Sequence, residues 1–256
     1  VMDFCKEANR AGLQIELHAI GDKAFDQACR AIKAALDDCP REDHRHGIIH
    51  DCLPTPEGIQ ICRDYHIQMP MQSAFIGWKQ EPDDYLEHIL GHDRLEKLNP
   101  IRTFRDNGIM VSFGSDAPCT TPDPIAWMDK AVNNGNADQA VSVQDALRMC
   151  TYNGAWAAFD EQERGSLEAG KKADLIVIDP HGPSMMPVND KIAALVTAMH
   201  SANIESTMCD GKWLMRERKI LTLDEEAILK EACERAAAIY KRAGIVLPDR
   251  FPVVKV

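Results

Sequence analysis

The chain has 256 residues, with 29 Lys and Arg against 40 Asp and Glu, for a net charge of −11. A chain this long buries about three quarters of its unfolded surface and needs no disulfide staples, and its 45% hydrophobic and 27% charged residues exclude a disordered polymer. The acidic balance argues against a nucleic-acid or anionic-membrane surface, which needs clustered Lys and Arg, and leaves small-molecule substrates open.

Residues 1–11 read as a helix ended by Gly12, and Leu13–His18 alternates apolar and polar as a strand does. Gly21-Asp22 opens an Ala-rich helix to about Leu36, and Gly47–His50 is a short apolar strand. Thr55-Pro56 is a cap-then-proline helix start, repeated at Asn99-Pro100 and Asp123-Pro124. Ile67–Met71 and Ile109–Phe113 are further strands, the second a convincing buried one, and Gly108 sits where a helix C-terminus would end. Strand-then-helix units repeated at this spacing predict a parallel sheet with helices outside it. Ser142-x-x-Asp145 starts a helix to about Cys150. Beyond Asp160 the pattern turns β-rich: strands are expected at 173–178, in parts of 192–200 and at 204–209, with Asp210-Gly211 turning into Lys212–Met215. Thr222-x-x-Glu225 caps a last helix whose stripe, Leu229, Ala232, Ala236, Ile239 and Ala243, is expected to dock on the body, with Gly244 as its stop.

No run approaches the ~20 apolar residues of a membrane span. The start, Val1-Met2-Asp3-Phe4-Cys5-Lys6, carries no basic-then-apolar signal. Nine scattered cysteines without a C-x-x-C pair suit free thiols in a reducing, cytoplasmic setting.

Parallel β/α architectures place reactive groups at the C-terminal ends of strands. His18, His50 and Asp116 all stand at or just beyond such ends. Two imidazoles and a carboxylate are a ligand set that zinc accepts. The pair His44 and His46 has metal-like H-x-H spacing but lies at the opposite end of its strand, where solvation is the expected role. Gly165-Ser166-Leu167-Glu168-Ala169-Gly170-Lys171-Lys172 nearly spells a phosphate loop. It lacks the terminal hydroxyl and runs into a strand, not the helix that must face the phosphates.

Five segments together resemble the amidohydrolase superfamily, in its N-substituted formamide deformylase-like branch. They are His18-Ala19-Ile20-Gly21-Asp22-Lys23-Ala24, Arg45-His46-Gly47-Ile48-Ile49-His50, Asn99-Pro100-Ile101-Arg102, Gly114-Ser115-Asp116-Ala117-Pro118 with Asp123-Pro124, and Gly165–Leu175. The resemblance implies an α/β fold in which a (β/α)8 TIM-type barrel is joined to a small β-sandwich. It implies that His18 and His50 are metal ligands ending strands 5 and 6. Asp116 would be the strand 8 carboxylate, which neighbours the metal and takes the proton of the attacking water as general base. The implied cofactor is Zn2+ or another divalent metal, one or two ions. The implied reaction is hydrolysis of an amide or N-formyl C–N bond, with ring-amidine deamination as the alternative within the superfamily. Gln72, Phe75 and Trp78 follow the third strand and are expected to contact substrate. Where the family usually has Glu before the strand 6 histidine, this chain has Ile49.

Strands 1 to 4 of the family barrel have no counterpart, so the chain reads as a C-terminal half: 1–160 half of the barrel, 161–222 a β-sandwich portion, 223–256 a helix and tail. Such a half could be a non-catalytic fragment. Its open strand edge and apolar face predict a homodimer or larger homo-oligomer.

Overall fold

The computed structural model describes residues 1–191, 194–195 and 198–245. It divides into two compact units: Val1–Ala173 with Asp179–Asn203, and Asp174–Ile178 with Ile204–Val256.

The first unit opens with α1 (Met2–Arg10), β1 (Glu16–Ala19), α2 (Asp22–Asp38), β2 (Gly47–His50), α3 (Pro56–Asp64) and β3 (Met69–Met71). Short helices α4 (Asp83–Leu90), α5 (His92–Leu95) and α6 (Ile101–Asp106) lead to β4 (Val111–Phe113). Then come α7 (Pro124–Val132), α8 (Val143–Cys150) and α9 (Tyr152–Ala157). β1 pairs with β2 and β3 with β4, both in parallel. A bridge between Gly47 and Gln68 joins the two pairs, with Ile48 N–H donating to the Gln68 carbonyl at 3.0 Å. The strands therefore run in chain order, each separated from the next by helix, as parallel pairing requires.

Alternation along β2 sends Ile48 to the helix layer, where it is fully buried beside Phe25, Ile32, Met69, Phe104 and Val111. α2 supplies that layer with Phe25, Ala28, Cys29, Ile32, Ala35 and Leu36, all spaced on one helical face. On the other strand face Gly47 stands opposite Glu16, and a Cβ there would lie 2.2 Å from a Glu16 carboxylate oxygen. Only glycine allows that approach.

Arg45 ties the strand bases together. Its guanidinium bonds both Glu161 oxygens at 2.8 and 2.9 Å and both Asp43 oxygens at 2.7 and 3.0 Å. It stacks between the rings of Trp156 and Phe159, at 4.6 and 4.2 Å. All nine cysteines are free thiols.

Local helix signals mostly act as expected. Thr55 accepts from Gly58 N–H, Asp123 from Ile125 and Ala126 N–H, and Ser142 from Asp145 N–H. Asn99 does not cap: its own φ is 49°, its N–H bonds the Cys52 carbonyl at 2.8 Å, and α6 starts at Ile101.

The second unit is an antiparallel sheet of β5 (Leu175–Ile178), β6 (Ile204–Cys209), β7 (Lys212–Arg216) and β8 (Lys219–Ile220), in that order. Asp210 and Gly211, with φ of 50° and 73°, form the tight turn between β6 and β7. The helix α10 (Glu225–Ala243) is capped by Asp224 rather than by Thr222, because the Asp224 carboxylate is one residue from the first turn and accepts from Ala227 N–H. It stops at Gly244, whose φ is 65°. None of its residues is buried, and Leu229 and Ile239 of the stripe are exposed. Of the strand expected within 192–200, residues 194 and 195 are helical, while 192–193 and 196–197 lie outside the described residues, as does the tail 246–256. No helix of the described residues is long and apolar enough to cross a membrane.

Candidate metal centre

His18 lies within β1, His50 ends β2, and Asp116 is in the loop after β4. In the parallel register His18 faces Ile49, and Ala19 faces His50. Strict alternation would put the His50 side chain on the face opposite His18. The backbone breaks that alternation: His50 has φ 81° and Asp51 φ 52°. The left-handed turn swings the imidazole across, and the two ring centroids lie 4.5 Å apart at 79°. Such backbone in non-glycine residues costs about 1–3 kcal/mol and clusters at functional sites. Asp116 shares it, with φ 52°.

His50 is buried, whereas His18 and Asp116 are exposed. Burial holds the His50 imidazole below its usual pKa; Gln72 opposes this, His18 lowers it further, and Asp116 raises it. Asp116 therefore bears electrostatically on His50. Among the described residues no three His, Cys, Asp or Glu side chains are gathered as a ready metal cage, so the tight element is the histidine pair.

The Nδ1 of His50 is buried and has no hydrogen-bond partner among the described residues. An orphaned buried acceptor or donor costs about 1–3 kcal/mol. A nitrogen of this kind beside a second imidazole, with a carboxylate in electrostatic reach, is the donor chemistry of a zinc-type ion. The chemistry of the histidine pair fits such an ion, with no third ligand gathered beside it among the described residues.

The expected substrate contacts gather unevenly. Gln72 is buried, and its Oε1 has no partner among the described residues. Phe75 ends a 3-10 turn, Ser73–Phe75, with its ring 6.0 Å from that of His50. Trp78 meets Phe75 at 5.0 Å with the rings tilted by 53°, one ring further out.

Two features escape the sequence reading. His46 is fully buried rather than solvated, because it replaces backbone partners in the core. Ile15 N–H donates to its Nδ1 at 3.1 Å, and its Nε2 bonds Asn9 Oδ1 at 3.0 Å. Asp51, beside His50, is fully buried with both oxygens unpartnered among the described residues, and burial pushes its carboxyl well above the usual carboxylate range. Nothing in the local pattern marks that position as interior.

The fold and site define a class. The chain matches the amidohydrolase family over residues 1–215 and belongs to it. It is 35% identical over 156 residues to a 5-methylthioadenosine/S-adenosylhomocysteine deaminase of Halobacterium salinarum, covering 57% of this chain and 35% of that protein. It is 43% identical over 152 residues to one of Pelotomaculum thermopropionicum, covering 57% and 35%. To a 5'-deoxyadenosine deaminase of Methanobrevibacter smithii it is 38% identical over 143 residues, covering 53% and 33%. The chain thus spans about a third of these relatives' length, and they are deaminases rather than the formamide deformylases that the motifs resemble.

Among solved structures, a zinc-bound adenosine deaminase from Xanthomonas campestris superposes with a TM-score of 0.68 at 17% identity, covering 94% of this chain and 55% of that one. Atrazine chlorohydrolase from Arthrobacter aurescens, complexed with zinc, gives 0.67 at 19%, covering 90% and 50%. At such identities the likeness establishes the α/β fold.

Proposed function

We propose that the chain serves metal-dependent hydrolysis of a non-peptide C–N bond, and that its four parallel strands are the strand 5 to strand 8 half of an eightfold barrel. The observation that carries this reading is the His18–His50 pair at 4.5 Å with its orphaned, buried Nδ1. Zinc or another divalent ion, one or two, would be held by His18, His50 and Asp116. When bound, such an ion lowers the pKa of water to about 7 and polarises the substrate carbon.

The chain's own residues supply the rest. The Asp116 carboxylate accepts the proton of the attacking water and returns it to the leaving nitrogen. Its exposure leaves it free to meet water and substrate in turn. Gln72, whose side chain bears on His50, is placed to orient a substrate group beside it. Phe75 covers the His50 ring and, with Trp78, excludes water from one side.

Two leaving groups distinguish the finer readings. Deamination of a ring amidine releases ammonia, and this is favoured by the deaminase relatives. Cleavage of an amide or N-formyl bond releases an amine, with formate in the second case. Zinc titration followed by product detection on a panel of both substrate types tests the proposal. Expected are a bound ion lost in His18→Ala and ammonia from the amidines. An absence of ion binding at micromolar zinc would make the chain a non-catalytic half-barrel.

The outer edges of β1 and β4 carry no strand among the described residues. Open edges invite pairing, and a homodimer or larger homo-oligomer would cover them. A monomer in light scattering at micromolar concentration would overturn that part.

A further inference from the structure

A cavity of about 590 Å³ opens between the loop after β3 and the loop after β4, with one face of α7 as its floor. Its walls are mostly apolar and include Trp78, Ala117, Pro118 and Trp127. Both walls start at the candidate centre. Ala117 is the residue after Asp116, and Trp78 is the outer member of the ring series His50, Phe75, Trp78, stepped at 6.0 and 5.0 Å. His18, His50 and Asp116 do not line the cavity, which stands beside the centre as space for a part of the substrate remote from the reacting carbon. Small-molecule sites commonly have this size and character: apolar walls with few polar groups that fix orientation.

One lining residue breaks the apolar pattern. Lys130, on α7, is the single charged side chain lining the cavity. It is half-buried and has no ion pair or hydrogen bond among the described residues. Its Nζ lies against the Gly77 backbone, 3.4 Å from where a Cβ would stand. The neighbouring Asp129 carboxylate is engaged by Asn133 Nδ2 at 2.6 Å. In a chain of net charge −11, a lysine kept from every carboxylate and set in an apolar wall is a cation waiting for an anion.

We propose that this cavity takes the distal part of the substrate, a flat apolar ring bearing a carboxylate, and that Lys130 pairs with that carboxylate and so determines specificity. The ring lies against the indoles of Trp78 and Trp127, while the ammonium fixes its orientation. The placement of the reacting end rests on the function proposed above; the anion subsite itself does not.

The test uses the full chain and two isosteric probes, phenylacetate and phenylacetamide, with binding read by ligand-observed NMR and indole fluorescence, without metal and again with zinc. Phenylacetate is expected to bind about tenfold tighter than the amide. Lys130→Met should abolish that preference while leaving phenylacetamide binding, zinc binding and the urea midpoint unchanged. Lys130→Arg should retain it. Equal binding of the two probes, loss of neither on Lys130→Met, or no binding of phenylacetate at millimolar concentration would overturn the proposal. If zinc fails to bind but the Lys130-dependent preference persists, the metal reading falls and the anion subsite stands. The reverse pattern separates them in the other direction.

Discussion

The two ends of β2 carry two histidine pairs with the same spacing. His44 and His46, before the strand, have ring centroids 4.5 Å apart, and His18 and His50, at its far end, are also 4.5 Å apart. In the first pair all four ring nitrogens are engaged. His44 Nδ1 accepts from His46 N–H and its Nε2 donates to the Tyr65 carbonyl, while His46 accepts from Ile15 N–H and bonds Asn9. Those partners demand neutral rings and leave no lone pair to give away. In the second pair a buried nitrogen stays unpartnered and the backbone is strained to present it. Distance between imidazoles therefore says little about function. What separates a girder from a ligand is whether the lone pairs are already used.

That contrast breaks most readily on metal affinity. His50→Ala should weaken zinc binding by more than about a hundredfold, beyond the 10–100-fold typical of residues behind the ligands, while His46→Ala shifts it only a few fold. Competition with a chromophoric chelator reads both, and comparable losses would erase the distinction.

Stability should invert the order. His46→Ala orphans Ile15 N–H, leaves Asn9 Oδ1 with Arg41 as its one donor and opens a cavity, so a loss of about 3 kcal/mol in urea unfolding is expected. His50→Gly accepts the existing φ of 81° and should cost under about 1 kcal/mol.

Acid titration sharpens the same point. Burial lowers the His46 pKa from 6.5 to about 3, and lowers that of His44 as well. The His46 ring is neutral when folded and takes up a proton on unfolding, so its contribution is complete above 6.5 and is lost as the pH falls toward 3; His44 acts in the same direction. His46 should remove up to about 1.4 kcal/mol per pH unit below 6.5. Urea midpoints measured through this range should fall for the parent chain and fall less for His46→Gln; parallel curves would count against the assignment. The smallest effect is Phe75→Leu, which gives up the ring contacts to His50 and Trp78 for about 0.5–1 kcal/mol, measurable in the same urea series.

Where a decision is local, the sequence carries it. Gly47–His50 is a strand over its full expected span, and the caps at Thr55, Asp123 and Ser142 work with residues at most three positions away. The failures are non-local. Asn99 has the right neighbour in Pro100 but is bent to φ 49° and bonded to Cys52 across the fold. The positions of His18, His50 and Asp116 near strand ends are legible. The meeting of the two imidazoles is not, since it depends on a left-handed turn that alternation argues against.

The Arg45 clamp also sets a schedule for synthesis. Its two ends are 116 residues apart, so the guanidinium emerges from the ribosome long before Glu161 exists. At about 5–20 residues per second the gap lasts about 6–23 s. Throughout that interval β1 and β2 can pair with Arg45 held by Asp43 alone, so the clamp closes on its second carboxylate only when the end of the first unit arrives.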